Sequence, residues 1–234
     1  MYFIGLDVGT SGCKCGVYDD YGNVIFKVRK GYSAITLDEN GIEQNPHEWW
    51  SKVKKSLKSV VKALRTKVSD VKAICVSGQS PVIVPVDSMG NVLHNAILWS
   101  DSRSISEAHE IMEKTGVKVS PSNILARILW FRHRRPNIYE RTHKFLQAMD
   151  FIIYMLSGVL VTDSITASTA FYNPITRSWS KAYDILNIPL DKMPTVVEPG
   201  TVVSTIRSNV ASEIGLPSDV DVVVGSIDAY TAMI

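Results

Sequence analysis

Short runs of apolar residues alternate with longer helical patterns along this chain. The first two runs, Tyr2–Leu6 and Cys13–Tyr18, flank a segment rich in Gly, Ser and Thr, a pattern typical of a β-hairpin. A third run, Val24–Val28, follows the turn pair Gly22-Asn23 and predicts a three-stranded antiparallel meander. From Pro46 onward apolar residues recur at helical spacing while lysines fill the other face, which predicts a long helix.

The middle third of the chain is predicted to be mainly helical, and the final third alternates again. The predicted strands are Val71–Val76, Val82–Val86, Ala96–Trp99, Thr201–Ile206 and Val220–Val224. The predicted helices are Ile105–Lys114, Ile124–Arg134, Met149–Leu156, Ser180–Leu186 and Asn209–Ile214, and Val159–Thr169 is predicted to be strand followed by loop. Strands mixed with helices after an initial meander indicate an α/β fold, in which helices cover both faces of a mixed sheet.

Length and charge narrow the class of protein. With 234 residues and 45% apolar content, the chain can bury a substantial core as one or two domains. The net charge is +2, from 25 basic and 23 acidic residues. This balance gives no electrostatic case for nucleic acid or an anionic membrane as the principal partner.

The cysteines and the N-terminus indicate a soluble, cytoplasmic protein. Cys13, Cys15 and Cys75 do not form a disulfide framework and are expected to be buried small hydrophobes in a reducing compartment. The N-terminus has no basic region before Asp7, so no signal peptide is expected. The longest apolar stretch, Phe151–Val161, is too short to span a bilayer.

The first predicted turn carries groups suited to phosphate and metal. Asp7 stands at the end of a buried strand, the segment Gly9-Thr10-Ser11-Gly12 supplies flexible backbone and hydroxyls, and Lys14 follows. Glycines let main-chain N–H groups approach an anion, hydroxyls donate to phosphate oxygens, and a carboxylate can hold hydrated Mg²⁺. The alternative is an ordinary hairpin turn, because Gly, Asp and Ser populate turns for conformational reasons alone.

This turn resembles the first phosphate loop of the sugar kinase, heat-shock protein 70 and actin superfamily. That loop is an apolar strand, D-x-G-T-[ST] and a second strand, here Asp7-Val8-Gly9-Thr10-Ser11. It lacks the G-x-x-x-x-G-K-[ST] pattern of a Walker A loop, and a strand rather than a helix follows it. With Gly12 and Lys14 it most resembles the FGGY carbohydrate kinases, particularly those acting on ketopentoses such as xylulose. The resemblance implies a ribonuclease H-like, actin-like ATPase fold.

Further segments resemble the FGGY pattern in the same order. They are Ser77-Gly78-Gln79-Ser80 (S-G-Q), Ile97-Leu98-Trp99-Ser100-Asp101-Ser102-Arg103 (I-x-W-x-D-x-R), Arg127-Ile128-Leu129-Trp130 followed by Pro136, Thr162-Asp163 with Ala167-Ser168, and Asn173-Pro174-Ile175-Thr176-Arg177-Ser178-Trp179 (N-P-x-T-x-x-W). Each of these motifs is weak by itself, whereas their shared register covers nearly the whole chain. One departure concerns Ser80-Pro81, which stands where ketopentose kinases usually carry Met and His. The imidazole expected to touch the sugar is therefore missing.

The last motif, Gly225-Ser226-Ile227-Asp228, follows a valine-rich strand. In the FGGY kinases a strand ending in G-[GS]-x-D places the catalytic aspartate at the start of a helix. The resemblance therefore implies that Asp228 accepts the proton of a sugar hydroxyl in line with the γ-phosphate. A helix N-terminus would keep its carboxylate ionised. The alternative is that Asp228 is only an N-cap.

The resemblance also implies roles for the other candidate residues. Asp7 would serve Mg²⁺, and Gly9, Thr10, Ser11 and Lys14 would bind the transferred phosphoryl group of ATP. Gln79, Trp99, Asp101 and Asp228 would meet the sugar. Two alternatives are kept: Trp99 could serve packing at a strand end, and Asp101 with Arg103 could be a structural pair that holds the loop.

The FGGY kinases are two-domain proteins about twice this size. The resemblance implies that residues 1–234 form the N-terminal domain, ending in the interdomain helix, while the C-terminal nucleotide domain is absent and the fragment alone is inactive. Its implied partners are a small sugar and ATP, and the resemblance does not decide whether the protein forms a homodimer. Alternative functions are a non-catalytic sugar- or nucleotide-sensing module on the same scaffold, or a kinase for another polyol or sugar acid such as glycerol or gluconate.

Overall fold

The computed structural model describes residues 1–231. In chain order its strands are β1 (Tyr2–Gly9), β2 (Gly12–Asp19), β3 (Val24–Gly31), β4 (Ile35–Thr36), β5 (Ile42–Gln44), β6 (Val71–Gly78), β7 (Val84–Val86), β8 (Ala96–Ile97), β9 (Lys144–Leu146), β10 (Val161–Asp163), β11 (Tyr172–Asn173), β12 (Ser178–Trp179), β13 (Thr195–Val197), β14 (Val202–Thr205) and β15 (Asp221–Ile227). The α-helices are α1 (Pro46–Leu64), α2 (Ile105–Thr115), α3 (Ile124–Arg134), α4 (Pro136–Arg141), α5 (Ala148–Ser157), α6 (Ser164–Ser168), α7 (Ala182–Ile185), α8 (Ser208–Ile214) and α9 (Asp228–Thr231). Short 3₁₀ helices cover Arg65–Asp70 and Leu190–Lys192.

A six-stranded mixed sheet with the order β14-β15-β6-β1-β2-β3 organises the molecule. The first three strands form the predicted antiparallel meander. Strand β6 runs parallel to β1, and β15 runs parallel to β6. Because parallel strands end at the same edge of a sheet, the carboxyl ends of β1, β6 and β15 lie side by side.

The two faces of this sheet have different surroundings. Ile4, Leu6 and Val8 on β1 point into the main core, where they meet residues of α1 and α5. Helix α1 begins as the sequence predicts, because Asn45 accepts a hydrogen bond from the His47 N–H group and Pro46 occupies the first turn. On the opposite face α9 contacts β6 and β15, and the remaining surface borders an open cleft. The sequence predicts helices on both faces of the sheet. In the structure they cover one face densely, and on the other face α9 lies beside the open cleft.

A second hydrophobic cluster joins α2, α3, α4 and α7 to β8 and β9. At its boundary with the main core lies Arg127 of α3, whose side chain is completely buried. The guanidinium donates to the carbonyl oxygens of Pro81 (2.9 Å) and Leu98. Arg127 thus holds together the segments that follow β6 and β8, because buried carbonyl oxygens need a donor.

The structure corrects several local predictions. The strand predicted over Ala96–Trp99 ends at Ile97, because the chain turns where the Asp101 N–H group donates to the Leu98 carbonyl. The loop expected after β10 is helix α6, since Asp163 caps its first N–H groups. Cys75 is exposed at the cleft rather than buried. A helix begins at Asp228 as predicted and its continuation over 232–234 lies outside the described residues, while its interdomain role stays a prediction.

Within residues 1–231, none of the helices is both long enough and apolar enough to cross a membrane.

Candidate active site

The turn between β1 and β2 is built from residues that let its backbone lie close to a third strand. Gly9 and Gly12 pair across it, and Thr10 and Ser11 form its tip. Gly12 has a φ of 157°, and a Cβ atom there would lie 2.7 Å from the Lys30 carbonyl oxygen. Any other residue at position 12 would push the turn away from β3.

Side chains from distant parts of the chain fix this turn in place. The Tyr32 hydroxyl donates to the Gly9 carbonyl oxygen at 2.6 Å, and the Gln44 amide donates to the Thr10 carbonyl oxygen at 2.7 Å. Arg29 of β3 donates to the Ser11 hydroxyl at 2.8 Å. The main-chain acceptors of the turn are thereby occupied within the protein, and its hydroxyls and N–H groups are held by a rigid support.

Asp7 lies between Lys14 of β2 and Ser77 of β6 in the strand register. The Lys14 ammonium group donates to Oδ2 of Asp7 at 3.0 Å. The other oxygen, Oδ1, is buried and has no hydrogen-bond partner among the described residues. A buried carboxylate oxygen of this kind is a ready acceptor for a ligand, a metal-bound water or a metal ion.

Asp228 stands where β15 ends and α9 begins, on the same edge of the sheet as Asp7. Gly225 and Ser226 interrupt the regular pairing of β15 with β6, so the strand bulges before it reaches Asp228. A Cβ atom at Gly225 would collide with the Val76 carbonyl oxygen, so only glycine fits this bulge. The Asp228 carboxylate accepts a hydrogen bond from the Ala229 N–H group at 2.7 Å.

Both aspartates line one open cleft of about 1160 Å³, above the roughly 300–1,000 Å³ of ordinary small-molecule sites. Its residues are Gly5, Leu6, Asp7, Gly9, Thr10, Ser11, Gly12, Lys14, Cys15, Gly16, Tyr18, Lys27, Val28, Arg29, Cys75, Ser77, Gly225, Asp228 and Ala229. The cations Lys14, Lys27 and Arg29 line the β2–β3 side, and the carboxylates stand on β1 and at the end of β15. This distribution suits a ligand that carries phosphate at one end and a hydroxyl at the other.

Of the predicted sugar-binding residues, Trp99 and Gln79 lie next to the turn rather than on the cleft wall. The Trp99 indole is half exposed and donates to the Thr10 hydroxyl at 3.2 Å. Gln79 is buried and donates to Gln44 at 2.9 Å, and its own Oε1 has no partner among the described residues. Gln44 also accepts from the Trp49 indole, so Gln79 belongs to a buried chain of hydrogen bonds beneath Thr10.

Asp101 is almost completely buried and fully engaged by the protein. Its carboxylate accepts from the Ile42 N–H group at 2.8 Å and from the N–H group and Nε of Arg103. Arg103 also pairs with Glu43 at 2.8 Å and lies over the Trp130 ring at 4.7 Å. This geometry favours the structural alternative for Asp101, and its contact with a sugar stays a prediction.

Sequence reasoning missed Lys27, Arg29, Tyr32 and Gln44 as members of this site, and it placed Ser77 in the S-G-Q motif without a role of its own. Arg29 has a local signal, since it lies two residues after Lys27 on a strand and so shares its face. Ser77 precedes Gln79 by two residues at the end of β6. Tyr32 and Gln44 have no such signal, because only the folding of the chain brings them to the β1–β2 turn.

The residues of the cleft fit a magnesium ion that is held mainly by its substrate. No group of three or more His, Cys, Asp and Glu side chains suited to a metal occurs in the described part of the chain. Mg²⁺ commonly keeps several waters and takes one or two carboxylates together with substrate phosphates. Asp7, with its unpartnered buried Oδ1, meets this requirement.

A mixed sheet that carries an Asp-x-Gly-Thr turn and a second aspartate on one cleft defines the class of domains with the actin-like ATPase fold. Within that class the family is clear, because the sequence model of the family described as "FGGY family of carbohydrate kinases, N-terminal domain" matches residues 2–234. The chain belongs to this family.

Relatives and solved structures agree with this assignment. The chain is 32% identical to a xylulose kinase of Staphylococcus epidermidis, over 96% of this chain and 47% of the relative. A gluconokinase of Bacillus subtilis is 26% identical over 97% of this chain and 46% of the relative. The structure of ligand-bound xylulose kinase from Lactobacillus acidophilus superposes with a TM-score of 0.89 at 28% identity, covering 99% of this chain and 49% of that chain. The chain thus spans about half the length of the relatives it matches.

Proposed function

We propose that this chain is the N-terminal part of an ATP-dependent sugar kinase that phosphorylates a hydroxyl group of a ketopentose such as xylulose. The observation that carries the proposal is the position of Asp7 and Asp228 on one cleft, beside a turn with the Asp-x-Gly-Thr pattern. Family membership supports the reaction type, and the xylulose kinases among the relatives support the substrate class.

In the proposed reaction Asp228 accepts the proton of the sugar hydroxyl as its oxygen bonds to the γ-phosphorus of ATP. The bond from that phosphorus to the β,γ-bridging oxygen breaks, and ADP leaves with the electron pair. Lys14 and the N–H and hydroxyl groups of Gly9, Thr10 and Ser11 orient the phosphoryl oxygens. Asp7 would hold Mg²⁺, which neutralises developing phosphate charge when bound.

The relatives are about twice as long as this chain, so we propose that further polypeptide supplies the groups that bind adenine and the β-phosphate. The 234-residue chain by itself is then expected to show no measurable phosphotransfer. Robust ADP release from this chain alone, in a coupled assay with a ketopentose and ATP, would contradict this part of the proposal.

The decisive experiment is Asp228→Asn in the full-length protein. Removal of the proton acceptor should lower kcat by about 10²- to 10⁴-fold, while the Kd for the sugar changes little. The matched control is Asp219→Asn, which changes another aspartate just before β15 outside the cleft and should leave kcat unaltered. Turnover of Asp228→Asn at the wild-type rate would contradict its role as proton acceptor, whereas a wild-type full-length protein that binds the sugar without turnover would favour a sensing module.

A sugar acid such as gluconate is the second candidate substrate. Two observations favour it: a gluconokinase is among the relatives, and Lys14, Lys27 and Arg29 line one side of the cleft. A panel of ketopentoses, polyols and sugar acids, compared by kcat/KM in the full-length protein, separates the candidates. A preference for gluconate over xylulose would replace the ketopentose in the proposal.

A further inference from the structure

A buried carboxylate on the core side of the sheet lies directly behind the bulge that precedes Asp228. Asp163 ends β10 and is 0% exposed. Its Oδ1 atom accepts hydrogen bonds from the N–H groups of Ile165 and Thr166, 3.0 and 3.2 Å away. These bonds cap α6, so the position of the carboxylate is set by the first turn of a helix.

The same oxygen also accepts a hydrogen bond from β15. The Ser226 hydroxyl donates to Oδ1 of Asp163 at 2.9 Å, and Ser226 is 1% exposed. Oδ2 of Asp163 is buried and accepts no hydrogen bond from the described residues, so Oδ1 is the oxygen that holds Ser226. A hydrogen bond to a carboxylate in a water-excluded site is stronger than one between neutral groups at the surface.

This bond acts at the point where β15 leaves its regular register. Pairing with β6 is regular up to Val224 and resumes at Ile227, so Gly225 and Ser226 form the extra length of the bulge. Bulges re-aim the residues that follow them. With the Ser226 side chain held inward, the chain that continues through Ile227 brings Asp228 to the cleft.

We propose that Asp163 and Ser226 are positioning residues for Asp228, acting through the hydrogen bond that ties the β15 bulge to the start of α6. This inference rests on the proposed function, because it assigns to Asp228 the proton acceptor of the kinase reaction. Neither Asp163 nor Ser226 lines the cleft and both are buried, so neither meets a ligand bound there.

The test uses Ser226→Ala in the full-length kinase, because this change removes the tether and leaves the cap of α6 intact. Loss of orientation at a reacting group can cost up to about 10²-fold in rate, so kcat should fall at least about tenfold. The KM for the sugar should change less than about twofold, since the sugar-contacting groups are untouched. Ser226→Thr, which keeps the hydroxyl, should recover most of kcat.

Ser164→Ala is the matched control. Ser164 is also a buried serine, adjacent to Asp163, but its hydroxyl donates to Glu198 at 3.1 Å and not to β15. A comparable loss of thermal stability with unchanged kcat is expected. Equal kcat values for Ser226→Ala and Ser164→Ala, or a sugar KM that rises as much as kcat falls, would overturn the positioning role.

The Asp228→Asn variant separates this inference from the function on which it rests. If Asp228→Asn abolishes turnover while Ser226→Ala retains it, the kinase function stands and the positioning role is refuted. If Asp228→Asn retains full turnover, the assignment of Asp228 as proton acceptor fails, and the positioning role fails with it. If the wild-type full-length protein shows no turnover, the proposed function itself fails.

Discussion

Arg29 lies opposite Lys14 in the pairing of β2 with β3, and its guanidinium holds the Ser11 hydroxyl at 2.8 Å. A side chain on the third strand therefore controls a hydroxyl at the tip of the first turn. Arg29 thus has a role that no sequence motif implies, whereas Asp101 belongs to a motif whose implied role its contacts do not favour. It stands in a motif that implies sugar contact, yet its carboxylate is occupied by Ile42 and Arg103. The neighbours of a residue, more than its type, decide what its side chain can do.

Arg29→Ala should raise the KM for ATP of the full-length protein by about three- to tenfold. The expected loss corresponds to one hydrogen bond of about 0.5–1.5 kcal/mol, which releases the Ser11 hydroxyl. Steady-state kinetics with varied ATP measures it. Lys30→Ala is the control, because Lys30 is the next residue of β3 and does not line the cleft. Equal KM values for the two variants would contradict the role of Arg29.

Asp101→Asn should lower the free energy of unfolding by roughly 3 kcal/mol, because it breaks a buried ion pair with Arg103. The sugar KM of the protein that remains folded should change less than twofold. Urea unfolding and kinetics on the same preparation give both values. Asp20→Asn, at an exposed turn, should change the free energy of unfolding by no more than about 0.5 kcal/mol. A large rise in sugar KM at unchanged stability would show instead that Asp101 binds the sugar.

Among the elements, β15 departs furthest from a regular strand. Its first half is paired with β6 and β14, and its second half bulges at Gly225 and Ser226 before α9 begins. Backbone of β6 approaches so closely that a side chain at position 225 has no room. The sheet is thereby closed tightly at the place where Asp228 leaves it.

Gly225→Ala should lower the free energy of unfolding by about 1–3 kcal/mol, because the added methyl group collides with the Val76 carbonyl and forces β15 away from β6. Chemical unfolding followed by circular dichroism measures the change. Gly31→Ala is the matched control, since a Cβ atom there meets its nearest neighbour, the Ser11 carbonyl oxygen, at an ordinary 3.7 Å. If both variants were equally stable, the close approach of β6 to position 225 would be wrong.

On the scale of the whole molecule, buried polar side chains join the two hydrophobic clusters. Gln147 accepts from the Ser80 hydroxyl at 2.6 Å, and its N–H group donates to Asp150 at 2.8 Å. The pKa of Asp150 is raised from 3.8 to about 7, mainly by burial and in part by the nearby Asp163 carboxylate. Gln147 and Asp150 lie beside Leu146 of the main core and Ile83 of the second cluster, so the two clusters meet at these polar groups.

The Asp150 carboxyl group should make stability depend on pH. Its pKa in the folded chain lies above the ordinary value of 3.8, so its contribution to the free energy of unfolding is complete below about pH 4 and is lost as the pH rises through about 7. Asp150→Asn should remove this loss, which amounts to roughly 1–4 kcal/mol. Unfolding curves at pH 5 and pH 8 for both proteins measure it. Parallel pH profiles for the wild type and Asp150→Asn would refute the assignment.

Local patterns in the sequence predicted the meander, the capped start of α1 and the strand that ends before Asp228, because periodicity and turn chemistry act between residues a few positions apart. The resemblance of the Asp7 turn to a known phosphate loop also depends on contiguous residues. By contrast, the bonds from Arg29 to Ser11 and from Ser226 to Asp163 join residues 18 and 63 positions apart. The register of β3 on β2 selects the first pair, and the insertion of β6 between β1 and β15 with packing against the core selects the second. Neither partner is encoded by a pattern within a few residues.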